Sequence, residues 1–123
     1  MISIEQFLMD DSSPIYLQII GYIKSGIVAG TIRDGDEMPS RRMLSALLGV
    51  NPNTIQKAYA LLEEEGIIHS RSGAKSFVVL DGEKIEAVRE EMLKHTVLAA
   101  VNSMKQMGVS KTEALALIGK YWS

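Results

Sequence analysis

Three residues, Gly49-Val50-Asn51, separate two short amphipathic segments, and Pro52 follows them. Glycine accepts the left-handed conformation that often ends a helix. Asparagine caps the next helix, and proline suits its first position. The pattern therefore predicts one helix over Arg41–Leu48, capped by Ser40, and a second that opens at Pro52 and stops at Gly66. Leu44, Leu47 and Leu48 form the apolar face of the first. Ile55, Ala58, Tyr59 and Leu62 form that of the second. Two short helices joined by a tight, glycine-containing turn are the outline of a helix-turn-helix.

The flanks extend the pattern. Residues 1–13 read as a short extended arm. Ser13 as a cap and Pro14 at the first position start an earlier helix with a stripe at Ile15, Ile19, Ile20, Ile23 and Ile27, and Gly30 ends it. Thr31–Pro39 is a connector with a turn at Asp34-Gly35-Asp36 and a short strand piece at Ile32 and Met38. After the two central helices come Ile67-Ile68 and Phe77–Leu80, strand-like runs around a loop containing Gly73. A hairpin in that place is a wing. Asp81-Gly82 then breaks the chain before a long helix from Glu83 to about Gln106, stopped at Gly108. Ser110 and Glu113 make a capping box for a last helix. The expected fold is α+β, mostly α. Residues 1–80 form a winged helix-turn-helix, and residues 81–123 form a two-helix region.

Much chemistry is excluded by residue types that are missing. With no cysteine there is no disulfide, thiolate metal site or cysteine nucleophile. His69 and His95 lack ligand spacing, and no phosphate-binding glycine motif is present. The expectation is no enzyme, no metal and no cofactor. Glu63, Glu64 and Glu65 read as a solvated helix end, and the methionines as packing. No apolar run is long enough to span a membrane, and Met1–Asp11 lacks the order of a signal peptide. A cytoplasmic location follows as an expectation.

In a helix-turn-helix the second helix enters the major groove, N-terminal end first. Asn51, Asn53, Thr54, Gln56 and Lys57 stand outward there. Asn and Gln can pair with adenine, Thr with a thymine methyl or phosphate, and Lys with guanine or phosphate. Arg41 and Arg42, opening the preceding helix, are placed to grip the backbone or a base. Arg71 and Lys75 on the wing can reach the flanking groove. The net charge of -2 argues at face value against a nucleic-acid partner. From Ser40 to Leu80, however, five basic residues face three acids, and those acids cluster at the far end of the second helix. Binding depends on one face rather than on the whole-chain balance.

The ordered combination resembles the GntR family of bacterial transcription regulators. It is carried by Pro14-Ile15-Tyr16-Leu17-Gln18-Ile19, Gly35-Asp36-Glu37-Met38-Pro39-Ser40-Arg41-Arg42, Gly49-Val50-Asn51-Pro52-Asn53-Thr54, Glu65-Gly66-Ile67 and Arg71-Ser72-Gly73-Ala74-Lys75. The resemblance implies a dimeric, operator-binding winged helix. Arg42, Asn51, Asn53, Thr54 and Gln56 match the family's contact positions, and Gly73 matches a wing tip that approaches the minor groove. Met43 stands where the family commonly has glutamate, and Lys75 where it usually has a second glycine. About 43 residues follow the wing, which is similar to the short YtrA-type subgroup. That likeness implies a repressor with a C-terminal dimerisation module.

Physical reasoning also points to a homodimer. The long helix is apolar on more than one face, and one small domain cannot cover it. Leu93, Val97, Leu98, Val101, Met104, Leu115, Ile118 and Trp122 are the expected interface. A two-fold dimer would read a near-palindrome in double-stranded operator DNA. The alternative is a winged helix that binds protein rather than DNA. Control by a small-molecule effector and control by protein level alone stay open at this point.

Overall fold

A computed structural model describes residues 1–71 and 75–123. The element order is α1 (Ile15–Ala29), α2 (Arg41–Leu48), α3 (Pro52–Glu64), β1 (Ile68–Ser70), β2 (Ser76–Val78), α4 (Gly82–Gln106) and α5 (Lys111–Tyr121). The chain is mostly helical with a small antiparallel sheet, the expected fold class. It forms two compact units, Met1–Arg89 and Glu90–Ser123, with the boundary inside α4.

In the first unit, α3 packs against α1, α2 and β1. Ile19, Ile20, Ile23 and Ile27 of α1 bury one stripe against Ile55, Ala58, Tyr59 and Leu62 of α3, Leu44 of α2, and Ile67, Ile68 and Val78. Burying each such aliphatic side chain contributes about 1.5–3 kcal/mol. That offsets the weak helix propensity of an isoleucine-rich α1. The left-handed glycine expected at its end is there, Gly30 at φ 85°. The start of α1 differs from expectation. Pro14 is the cap residue itself and no side chain caps the helix. Gln18 instead reaches back, its Nε2 donating to the carbonyls of Asp10 and Ser13 at 2.9 and 2.7 Å.

Two further expectations are corrected. Leu47 is 64% exposed rather than in the core face of α2, because α3 covers only the Leu44 side of this short helix. The N-terminal arm is not merely extended. Ile2 is buried and its N–H donates to the Glu37 carbonyl at 3.0 Å, while Phe7 meets Tyr22 edge-on.

The sheet sets the wing. Ile68 pairs with Val78, His69 with Phe77 and Ser70 with Ser76. On the other edge of β2, Glu37 bridges Phe77, and the bonds Met38 N–H to Ser76 O and Val78 N–H to Asp36 O extend the pairing. The connector thus joins β2 through an isolated bridge at Glu37 with Met38 beside it, while Ile32, expected in the same strand piece, bonds to Gly26 instead. Past the sheet, Asp81 caps α4 by accepting from Lys84 N–H at 2.7 Å. The Lys84 ammonium donates to the Gly66 carbonyl at 2.6 Å, closing the first unit.

The second unit holds the rest of α4, a turn at Gly108 and α5. Ser110 accepts from Glu113 N–H at 3.2 Å, the forward half of the capping box. No residue from 90 to 123 is buried. No helix among the described residues is long and apolar enough to cross a membrane.

Candidate nucleic-acid interface

The α2–turn–α3 geometry is fixed by local bonds. Ser40 Oγ accepts from Met43 N–H at 3.1 Å, so α2 is capped although no glutamate completes a box. Gly49 takes φ 66°, a conformation costly for other residues, and its N–H donates to Ser45 O at 2.9 Å. Buried Ser45 then donates from its hydroxyl to the Val50 carbonyl at 2.7 Å. This stitch locks the turn. It was not foreseen, since a mid-helix serine carries no sequence signal of a partner beyond the helix end. Asn51 Oδ1 accepts from Asn53 N–H at 2.8 Å, so the Asn51 side chain is committed as a cap through its oxygen.

The buried stripe of α3 turns the other side of the helix outward. Asn53, Gln56 and Lys57 are exposed there, and Thr54 is half-buried. On α2, Arg42 is exposed and Arg41 half-buried. The two arginines part company: the Arg41 guanidinium stacks over the Tyr59 ring, 5.0 Å from its centroid. Its Nε is buried without a hydrogen-bond partner among the described residues. Tyr59 donates its hydroxyl to the Pro39 carbonyl at 2.6 Å. Burial pushes its pKa far up, against a smaller opposing pull from Arg41, and it stays a neutral donor.

Two more cations are held by rings. Lys57 Nζ lies 4.0 Å from the centroid of Tyr16, in the first turn of α1. Arg71 lies over Phe77 at 4.7 Å. Lys75 is exposed, and its carbonyl accepts from Arg71 N–H at 2.8 Å. Gly73, expected at the wing tip, lies outside the described residues.

The three glutamates are not simply a solvated end. Glu63 Oε1 accepts from Ser70 N–H at 3.1 Å and from Ser70 Oγ at 2.6 Å. These bonds, that to the hydroxyl first, hold its carboxyl below the ordinary glutamate range. Glu65 pairs with the buried Lys24 of α1 at 3.0 Å. The acids at the far end of α3 therefore tie it to the wing and to α1, while its N-terminal end stays clear. Among the described residues no group of His, Cys, Asp or Glu could hold a metal ion.

In the second unit, Leu93, Val97, Leu98, Val101, Leu115, Ile118 and Trp122 are all exposed, and Met104 is half-buried.

Residues 15–78 match the family "Bacterial regulatory proteins, gntR family". The chain is 35% identical over 104 residues to the uncharacterized HTH-type transcriptional regulator YhcF of Bacillus subtilis (strain 168), covering 85% of this chain and 86% of that one. It is 43% identical over 67 residues to the HTH-type transcriptional repressor YtrA of the same organism, about half of each chain. A solved GntR family transcriptional regulator from Listeria monocytogenes superposes with a TM-score of 0.79 at 39% identity, over 91% of this chain and 98% of that one.

Proposed function

The chain belongs to the gntR family of bacterial regulatory proteins, and from that premise we propose that it is a sequence-specific DNA-binding transcriptional repressor. It reads a near-palindromic operator as a homodimer. The observation that carries this reading is the N-terminal end of α3. There Asn53 and Gln56 stand exposed on a helix whose opposite face is sealed in the core. Polar, uncharged side chains suit base edges in the major groove. A protein-binding surface would place an aromatic or aliphatic anchor at its centre instead.

Asn53 and Gln56 act as base readers, with Thr54 beside them. Arg42 reaches from α2 to a base or the backbone. Asn51 contributes through its amide nitrogen, Lys57, Arg71 and Lys75 through phosphates, and Gly73 through close approach at the wing tip. Arg41, packed on Tyr59, contributes through its outer nitrogens. Dimerisation through residues 90–123 covers the exposed apolar side chains of α4 and α5, Met104 among them. The repressor assignment draws on the similarity to YtrA.

Gln56→Ala and Arg42→Ala should each weaken binding to a selected operator by about 1–3 kcal/mol. Gel-shift titration measures it, and unchanged affinity removes that residue from the contact set.

A further inference from the structure

We infer that Tyr16 is a positioning residue that makes Lys57 a phosphate anchor, set apart from the residues that read bases. The inference rests on the DNA-binding reading above. Successive residues of a helix lie about 100° apart around its axis. Opposite the buried stripe of α3 therefore run Asn53, Ala60 and Glu64. Gln56 and Glu63 share one flank, and Thr54 and Lys57 the other. The wing occupies the Gln56 flank, because Glu63 bonds to Ser70 of β1. The Lys57 flank faces α1, where the Tyr16 ring lies 4.0 Å from the ammonium.

Lysine is a compact point charge on a flexible stem, and an aromatic face attracts it. Unheld, the ammonium would sweep an arc that includes the base edges beside Gln56. Held over Tyr16, it is drawn to the α1 side, where a backbone phosphate suits a point charge and no base-edge geometry is needed. The helix start that carries the ring is pinned. Gln18, one half-turn on, bonds back to the Asp10 and Ser13 carbonyls and pins the start of α1. Of the three ring-held cations in the first unit, this is the one whose ring can be removed with least damage. Tyr59 is buried and bonded to Pro39, and Phe77 lies within β2, whereas Tyr16 is half-buried at a helix start.

The test titrates wild type, Lys57→Ala, Tyr16→Ala, Tyr16→Phe and the Tyr16→Ala/Lys57→Ala double variant against a selected operator and a random-sequence duplex, over a series of salt concentrations. Lys57→Ala should weaken both duplexes alike and flatten the dependence of log affinity on log salt by about one unit. Tyr16→Ala should weaken both by about two- to fivefold. Tyr16→Phe should behave as wild type, and the double variant should be no weaker than Lys57→Ala. Multiplying effects in the double variant, or a Tyr16→Phe as weak as Tyr16→Ala, would overturn the positioning role. So would a Lys57→Ala that lowers operator affinity alone, since Lys57 would then read bases. Thermal melts accompany each titration. If Tyr16→Ala does not fold, Tyr16→Leu keeps apolar bulk without the ring and takes its place. A wild type that binds neither duplex removes the DNA reading and this inference with it.

Discussion

Met1–Arg89 and Glu90–Ser123 are built from equally good local signals, yet only the first closes a core. Both have serine-capped helices, Ser40 on Met43 N–H at 3.1 Å and Ser110 on Glu113 N–H at 3.2 Å. In the first unit, Ile55, Ala58 and Leu62 are 0% exposed. In the second no residue is buried, and Trp122 is 83% exposed. An 11-residue helix such as α5 is marginal on propensity and caps alone. Caps thus place helix ends in both units, while packing decides which helices persist. A well-capped, coreless unit is what one half of a shared core would be, which supports the proposed dimer.

The largest expected effect breaks the closed unit. Leu62→Ala removes a fully buried side chain in the last turn of α3 and should cost about 2–5 kcal/mol. Denaturant unfolding reads it, and a loss below about 1 kcal/mol would mean the core is not closed there. Next, Val101→Asp should separate the units' roles. It should give a monomer mass by light scattering while leaving the first unit folded by circular dichroism; a persisting dimer would contradict the interface. The smallest effect concerns Glu63. Its folded pKa is depressed by Ser70, so its contribution is present above the unfolded pKa and lost as pH falls through the folded one. Melts in acid should show Glu63→Gln losing less stability than wild type over that range, and identical acid limbs would show that the Ser70 bonds contribute nothing.

The legible parts of this chain were those that local chemistry determines. The bounds of α2, its Ser40 cap, the Asn51–Pro52 start of α3 and the stripe Ile55, Ala58, Tyr59, Leu62 follow from residue type and spacing, and the structure has each of them. The outward row at Asn53, Gln56 and Lys57 follows from that same stripe. What was not legible depends on partners distant in the chain. Lys24 meets Glu65 from 41 residues away, and Lys57 stacks on Tyr16 across two helices. Leu47 was misplaced because eight residues give too short a stripe to show which flank a neighbour covers. The docking of the N-terminal arm was not legible because its anchors, Ile2 and Phe7, are spaced on neither a strand nor a helix period and stand among apolar residues such as Leu8 that remain exposed.

Selection of bound sequences from random DNA tests the central claim most directly, since it reads function, symmetry and spacing together. The account predicts enrichment of a near-palindrome whose half-sites lie roughly 34–36 Å apart, or a multiple of that. Failure to enrich any sequence, or enrichment of a single asymmetric site, would contradict a homodimer that reads operator DNA through α3.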